Sequence, residues 1–347
     1  MRVGIYHSNN RVEVEEYPLP EVGAGDILIK VMACGICGSD IMEWYRIQKA
    51  PLVLGHELTG EVVEVGTEVT KFKKGDRVFT THHVPCNECH YCMTGHETAC
   101  RVFQNENNFD PGGFSEYLLV KGRSIDTGTF LLPEEISYDD GTFIEPLGTA
   151  VRALRSIAIT PGDSLLVLGS GIIGLLMIQL ARRLGAGRVI ATDMLGNRLA
   201  AAQKFGAEHT VHAGEDVPSF VKRVNGGRPA DKVIICAGSL AACRQALDSV
   251  DRGGTVLFFA VPKPGEEIGI DFNTYWRNDI TFKTCYGAAP RDNMQAMELI
   301  RAGNMDVSQM ITHRFGLEDI GKGFKAASVG RDCLKVIIAP HSMGNSR

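Results

Sequence analysis

The feature that most constrains this chain is Gly169-Ser170-Gly171-Ile172-Ile173-Gly174. It lies between the apolar run Leu165 to Leu168 and an apolar stretch that continues to Leu184. In a strand–turn–helix setting the first glycine permits a tight turn, the second lets a pyrophosphate approach the backbone, and the third packs helix on strand. The helix N-terminus at Ile172 and Ile173 then faces the anion. The next strand-like run, Arg188 to Thr192, leads into Asp193. That carboxylate suits the adenosine ribose hydroxyls and repels a 2′-phosphate, which favours NAD over NADP. Arg198 pulls the other way if it reaches the ribose, and is neutral if it sits on a solvated helix face.

The pattern around this fingerprint is regular. Helical Leu195 to Phe205, strand-like Val233 to Cys236, helical Ala241 to Val250 and strand-like Thr255 to Ala260 follow in turn. Such alternation predicts an α/β domain with a parallel, doubly wound sheet. The first 130 residues read differently. Val12 to Glu15, Ile27 to Val31, Glu61 to Val65 and Arg77 to Phe79 are short β-type runs cut by Gly and Pro, as in a barrel or sandwich. Ser137 is placed to cap a helix carrying Asp139 and Asp140 in its first turn. The tail mixes helical Asn293 to Arg301 and Glu318 to Ala327 with strand-like Leu334 to Ala339, and its pattern fits either domain.

A net charge of −5 without a basic run argues against a nucleic-acid partner. The longest apolar stretch, Ile172 to Leu180, is interrupted by Gly174 and Gln179 and is too short to cross a bilayer. The N-terminus lacks the apolar core of an export signal, so the expected location is cytoplasmic. In that compartment, clustered cysteines point to metal rather than to disulfides.

Four of the ten cysteines, Cys86, Cys89, Cys92 and Cys100, share one polar loop. Four thiolates suit a closed, tetrahedral structural zinc site that would order the loop. Four free thiols would oxidise readily, and an iron–sulfur cluster is the other metal reading. With that cysteine set complete, His82, His83, His90 and His96 read as surface residues. Cys34, Cys236, Cys243, Cys285 and Cys333 lie in apolar segments and read as packing.

A second constellation is mixed. Cys37-Gly38-Ser39-Asp40 follows one strand, Gly55-His56-Glu57 follows another apolar run, and Glu145-Pro146-Leu147 opens a helix. Thiolate, imidazole and carboxylate together suit a zinc that keeps a position open for water or substrate. Glu145 alone reads equally well as a first-turn acid favoured by the helix dipole.

These motifs occur in an order that resembles the zinc-containing medium-chain alcohol dehydrogenases, over essentially the whole chain. The polyol (sorbitol-type) and threonine branch is the nearest in look, because both carry an acidic-Pro motif at Glu145-Pro146. The resemblance implies a GroES-like catalytic domain, 1–149 completed by 288–347, and a Rossmann NAD-binding domain, 150–287. It implies a catalytic zinc on Cys37, His56 and Glu57, with Glu145 bound directly or through water, and Asp40 orienting His56. Ser39 would relay the proton of a zinc-bound alcohol while a hydride passes to the nicotinamide. It further implies a homotetramer. Two positions depart from the pattern. Many relatives place His where Met42 stands, so the relay ends at water or uses Glu43. Polyol dehydrogenases place Arg where Gly287 stands, which puts sorbitol itself in doubt, and Tyr286-Gly287 looks threonine-like.

The reading is an NAD-dependent zinc oxidoreductase acting on a secondary alcohol: a polyol, cyclitol or amino-polyol. An L-threonine or amino-alcohol dehydrogenase is the second enzyme reading. A non-catalytic dinucleotide-binding redox sensor is a third, and retention of Cys37, His56 and Glu57 counts against it.

Overall fold

The computed structural model describes residues 1–342. The last five residues of the expected C-terminal segment, 343–347, lie outside it. The chain forms two compact units: Met1–Gly148 together with Gly287 onward, and Thr149–Tyr286.

The first unit is built on antiparallel strands. One sheet runs in the order Arg11–Glu16, Arg2–Ser8, Leu52–Val53. The larger one follows the path Ile311–Gly316, Lys335–Ala339, Ile27–Gly35, Glu57–Val65, Arg77–Thr80, Thr129–Leu131. The tail therefore returns to the N-terminal domain: Ile337 pairs with Gly35 and Ile338 with Cys34. The inward residues Ile27, Ile29, Val31, Leu58, Val62, Phe114 and Phe324 form its core. This alternation is what the β-type runs of the sequence encode.

The ends of these strands bring together residues that the sequence singles out. Register pairs Gly35 with Glu57 and Cys34 with Leu58. Cys37 follows two residues after the first strand ends, and His56 immediately precedes the second. Lys335 opens the returning strand, in which every residue is buried. Its Nζ donates to Glu57 Oε2 and, at 3.2 Å, to the Ile36 carbonyl. Gly35 leaves room for this pair: a Cβ there would lie 2.6 Å from Lys335 Cε.

The second unit is a six-stranded parallel sheet. Its order is His209–His212, Arg188–Asp193, Ser164–Leu168, Ala230–Ile235, Val250–Phe258, Thr281–Thr284. The order reverses direction between Ser164–Leu168 and Ala230–Ile235, which is where doubly wound sheets open a crevice. Helices Ile172–Arg183, Gly196–Lys204 and Leu240–Ser249 connect the strands where the alternation predicts them. The pair His209–His212 and Val217–Val224 was not anticipated: the strand is short and polar, and the helix begins with a Val-Pro pair behind the Asp216 cap.

Removing one partner of a buried ion pair leaves a charge without compensation. Lys335→Met is expected to lower unfolding free energy by about 3–5 kcal/mol, read from urea midpoints. A loss below about 1 kcal/mol would show that the pair does not support the sheet.

Candidate metal centres and dinucleotide site

The glycine turn stands at the mouth of the sheet reversal. Gly169 has φ +102°, a conformation that side chains disfavour. A Cβ on Gly174 would collide with the Gly169 carbonyl oxygen, whereas one on Gly171 would meet only Arg198, at 4.0 Å. Gly174 thus serves the strand–helix contact, and Gly171 keeps an approach open. Ile172 and Ile173 form the first turn of the helix whose N-cap is Gly171. A cavity of about 320 Å³ lies here, with Gly169, Asp193, Arg198, Ser239 and Gln245 among its walls.

Asp193 does more than face this cavity. Its Oδ2 accepts from Ser170 N at 2.9 Å and its Oδ1 from Leu195 N at 3.0 Å. The carboxylate therefore holds the glycine turn against the neighbouring strand. Arg198 lies 3.9 Å from Asp193 and is only 26% exposed, so it is not on a solvated face.

The four loop cysteines converge. Sγ separations are 3.5 Å for Cys89–Cys92, 3.6 Å for Cys86–Cys100 and 3.9 Å for Cys86–Cys92. A tetrahedron with metal–sulfur bonds of about 2.3 Å has edges of about 3.8 Å. None of the four is in a disulfide. Backbone amides of Cys86 and Cys89 donate to Cys100 Sγ and Cys86 Sγ at 3.4 and 3.3 Å. Burial pushes the Cys100 thiol up, but amides of Cys86, Phe103 and Val102 outweigh it and bring the thiol to about 6. The donor set fits zinc.

Cys37, His56 and Glu57 form a second group, with ligand atoms all within 4.8 Å of one another. Glu57 is 1% exposed; its Oε2 is taken by Lys335, and its Oε1 is buried without a partner among the described residues. Asp40, fully buried, accepts from Cys37 N at 3.0 Å and lies 3.6 Å from His56 Nδ1. Burial disfavours a charged His56, yet Asp40 and Cys37 outweigh it and raise the imidazole to about 10. A cation held by this trio would take the place of that proton. Glu145 is outside the trio, in the first turn of helix Ile144–Ser156. Burial, offset by His56 and reinforced by Glu57, raises it to about 7. The orphaned carboxylate oxygen and the mixed donors fit a metal with an open position.

Ser39 donates its backbone N–H to Cys37 Sγ at 3.4 Å. Its hydroxyl oxygen accepts from Arg46 Nη2 at 3.0 Å, and Arg46 Nε donates to its carbonyl at 2.9 Å. Glu43 instead accepts from Asn9 N at 2.9 Å. Arg46 and Lys335 were both missed in the sequence. The signal for Lys335 was a lysine opening the wholly apolar run Val336 to Ala339.

The expectation of four surface histidines is half right. His90 and His96 are exposed, but His82 and His83 are not. Their rings lie 3.8 Å apart, and the His82 ring lies 5.4 Å from that of His56. Burial pushes His83 down to about 4 and His82 well below its usual range. The reason is the strand Arg77–Thr80, which delivers the start of the loop inward, while the cysteine lobe proper projects outward. A third convergent group, His7, Glu13 and Glu15, lies on partly exposed strands, and Arg11 already binds Glu13 at 2.9 Å.

Residues 23–127 match the alcohol dehydrogenase GroES-like domain family, and residues 173–302 match the zinc-binding dehydrogenase family. The chain is 32% identical to a sorbitol dehydrogenase of Bacillus subtilis, covering 98% of each. It is 33% identical to an L-threonine 3-dehydrogenase of Rhizobium rhizogenes, over 91% of this chain and 92% of the other. A putative zinc-binding dehydrogenase of Sinorhizobium meliloti, crystallised with NADP, superposes with a TM-score of 0.87 at 29% identity, covering 98% and 99%. With its β-rich and doubly wound units, its convergent thiol and mixed ligand groups and these full-length likenesses, the chain belongs to the zinc-containing medium-chain alcohol dehydrogenase family.

Proposed function

We propose that this oxidoreductase oxidises a secondary alcohol of a hydroxyl-rich substrate with NAD, using a zinc held by Cys37, His56 and Glu57. The orphaned Glu57 Oε1 beside the thiol and the imidazole carries this reading. Zinc there supplies Lewis acidity that lowers the pKa of a substrate hydroxyl, and NAD supplies the hydride acceptor. Asp40 orients His56. The hydroxyl proton passes to Ser39 Oγ, one lone pair of which is occupied by Arg46. Arginine carries no acceptor, so Ser39 hands its own proton to water. Glu145, whose carboxyl burial raises to about 7, would hold the ion directly or through water. The loop cysteines hold a second, structural zinc.

The dinucleotide is held by the turn Gly169 to Gly174 and by Asp193. Its carboxylate is expected to repel the 2′-phosphate of NADP, with Arg198 softening the bias. We further propose a homotetramer in the cytoplasm. Support for assembly comes from Phe272 and Trp276, 65% and 64% exposed beside the strand Thr281–Thr284, which ends the parallel sheet. No described helix is long and apolar enough to cross a membrane. The threonine reading is kept as the alternative because relatives of both kinds match at similar identity.

Three substitutions and one metal analysis test these assignments. Cys37→Ala should halve the zinc content by elemental analysis and abolish NAD-linked oxidation while circular dichroism is unchanged; wild-type turnover would overturn the zinc assignment. One zinc per wild-type chain, without turnover of polyols or L-threonine, would favour the sensor reading. Asp193→Ala should raise kcat/KM with NADP relative to NAD by about tenfold or more, since it removes a like-charge repulsion; an unchanged ratio would remove Asp193 from cofactor selection. Trp276→Glu should lower the mass seen by light scattering, and an unchanged mass would place the assembly surface elsewhere.

A further inference from the structure

The loop between Arg77–Thr80 and Cys86 places two adjacent histidines beside the candidate catalytic metal site, and they are used differently. His83 is engaged: its Nδ1 lies 3.1 Å from the Phe103 carbonyl, and its ring stacks on Phe103 at 4.7 Å. His82 is not. Its Nδ1 is shielded from water and, among the described residues, has no hydrogen-bond partner. Its ring is held by His83, by Phe109 at 5.6 Å and, edge-on, by His56 at 5.4 Å. In such an aromatic nest a phenyl ring would pack as well, without burying an unsatisfied polar atom. Among the described residues, then, nothing gives the imidazole its partner.

That partner is not the metal, because the ligand atoms that converge are those of Cys37, His56 and Glu57 alone. His82 instead borders the ring of one of those residues, His56, at 5.4 Å. Imidazole offers one N–H and one lone pair. A hydroxyl, which both donates and accepts, matches it. Only Nδ1 is left over; a hydroxyl can meet it in either tautomer, whereas an ammonium can meet it only where Nδ1 is the acceptor.

From these observations we infer that His82 is a specificity-determining residue: it hydrogen-bonds the hydroxyl on the carbon next to the one oxidised, so the site selects vicinal diols and polyols over simple secondary alcohols. The inference rests on the alcohol oxidation proposed above and narrows its substrate class.

The test compares 2,3-butanediol with 2-butanol, which differ by that one hydroxyl. A site built to bond a hydroxyl discriminates strongly against the analogue lacking it. In His82→Phe, kcat/KM for the diol should fall about tenfold or more, chiefly through KM, with 2-butanol unchanged or improved. His82→Gln, which keeps a donor and an acceptor, should recover most of the loss. Zinc content should stay at the wild-type value in both. The thermal shift that the diol produces in the enzyme–NADH complex should vanish in His82→Phe and return in His82→Gln. Equal losses on both alcohols, an unchanged diol preference, or a loss confined to L-threonine would each overturn the inference. If wild type oxidised neither alcohol, the proposed activity would fail, and the diol-induced thermal shift would still decide whether His82 binds the neighbouring hydroxyl.

Discussion

The buried pair of Glu57 and Lys335 is the constraint on which the metal site depends. The two side chains are 1% and 0% exposed, and they join residues 278 positions apart. Burying an ion pair is expensive, and it is sustained only when the remaining donors and acceptors are met. Here the Ile36 carbonyl takes a second proton of Lys335, the Phe143 ring lies 5.7 Å from its Nζ, and Gly35 leaves the space. The pair ties the returning strand Lys335–Ala339 to the two strands that deliver Cys37 and His56. It also fixes Glu57, with one oxygen neutralised and the other unspent. Two apolar residues would hold the sheet as well, but they would leave no carboxylate at the candidate metal site.

The pocket around this pair is an electrostatic compromise. Cys37, Asp40, Glu57 and Glu145 supply acidic groups, against Lys335, Arg46 and His56. Asp40 and Cys37 hold a proton on His56 up to about 10 against its burial, and burial, reinforced by Glu57, lifts Glu145 to about 7. Excess anionic character in a low-dielectric pocket is what a divalent cation relieves. The cysteine lobe follows a different logic. Its helices, His90–Met93 and Glu97–Ala99, are single turns, and Thr98 is their one buried residue. Packing contributes little there, so four thiols and their amide donors hold the loop. One centre is imposed by the sheet, whereas the other imposes its own local structure.

Much of this was legible in the sequence, for identifiable reasons. Strand–turn–helix glycines announce themselves because Gly169 must adopt a positive φ and Gly174 must meet a carbonyl. The cysteine spacing is equally local. What stayed hidden was long-range or masked by residue type. Lys335 reads as the polar edge of an apolar strand, and only the register with Gly35 turns it inward. Arg46 reads as a surface residue of a one-turn helix, although its side chain is only 15% exposed. His82 was assigned to the surface with its neighbours, because a cluster of histidines near four cysteines carries no sign of which side the loop presents.

Arg46 also changes how the proton path is understood. The departure at Met42 left water or Glu43 as the end of the relay. Glu43 is committed to the Asn9 amide, and Arg46 occupies the position next to Ser39. A guanidinium can donate to the serine oxygen but cannot receive its proton. It fixes the hydroxyl through two bonds to one residue, and it stabilises negative charge developing on Ser39 Oγ. In the proposed reaction the lone pair that remains on that oxygen would take the substrate proton, and the serine proton would leave for solvent. With Met42 where the family resemblance implies an imidazole, the proposed path would be one member shorter, with a fixed positive charge in place of a carrier.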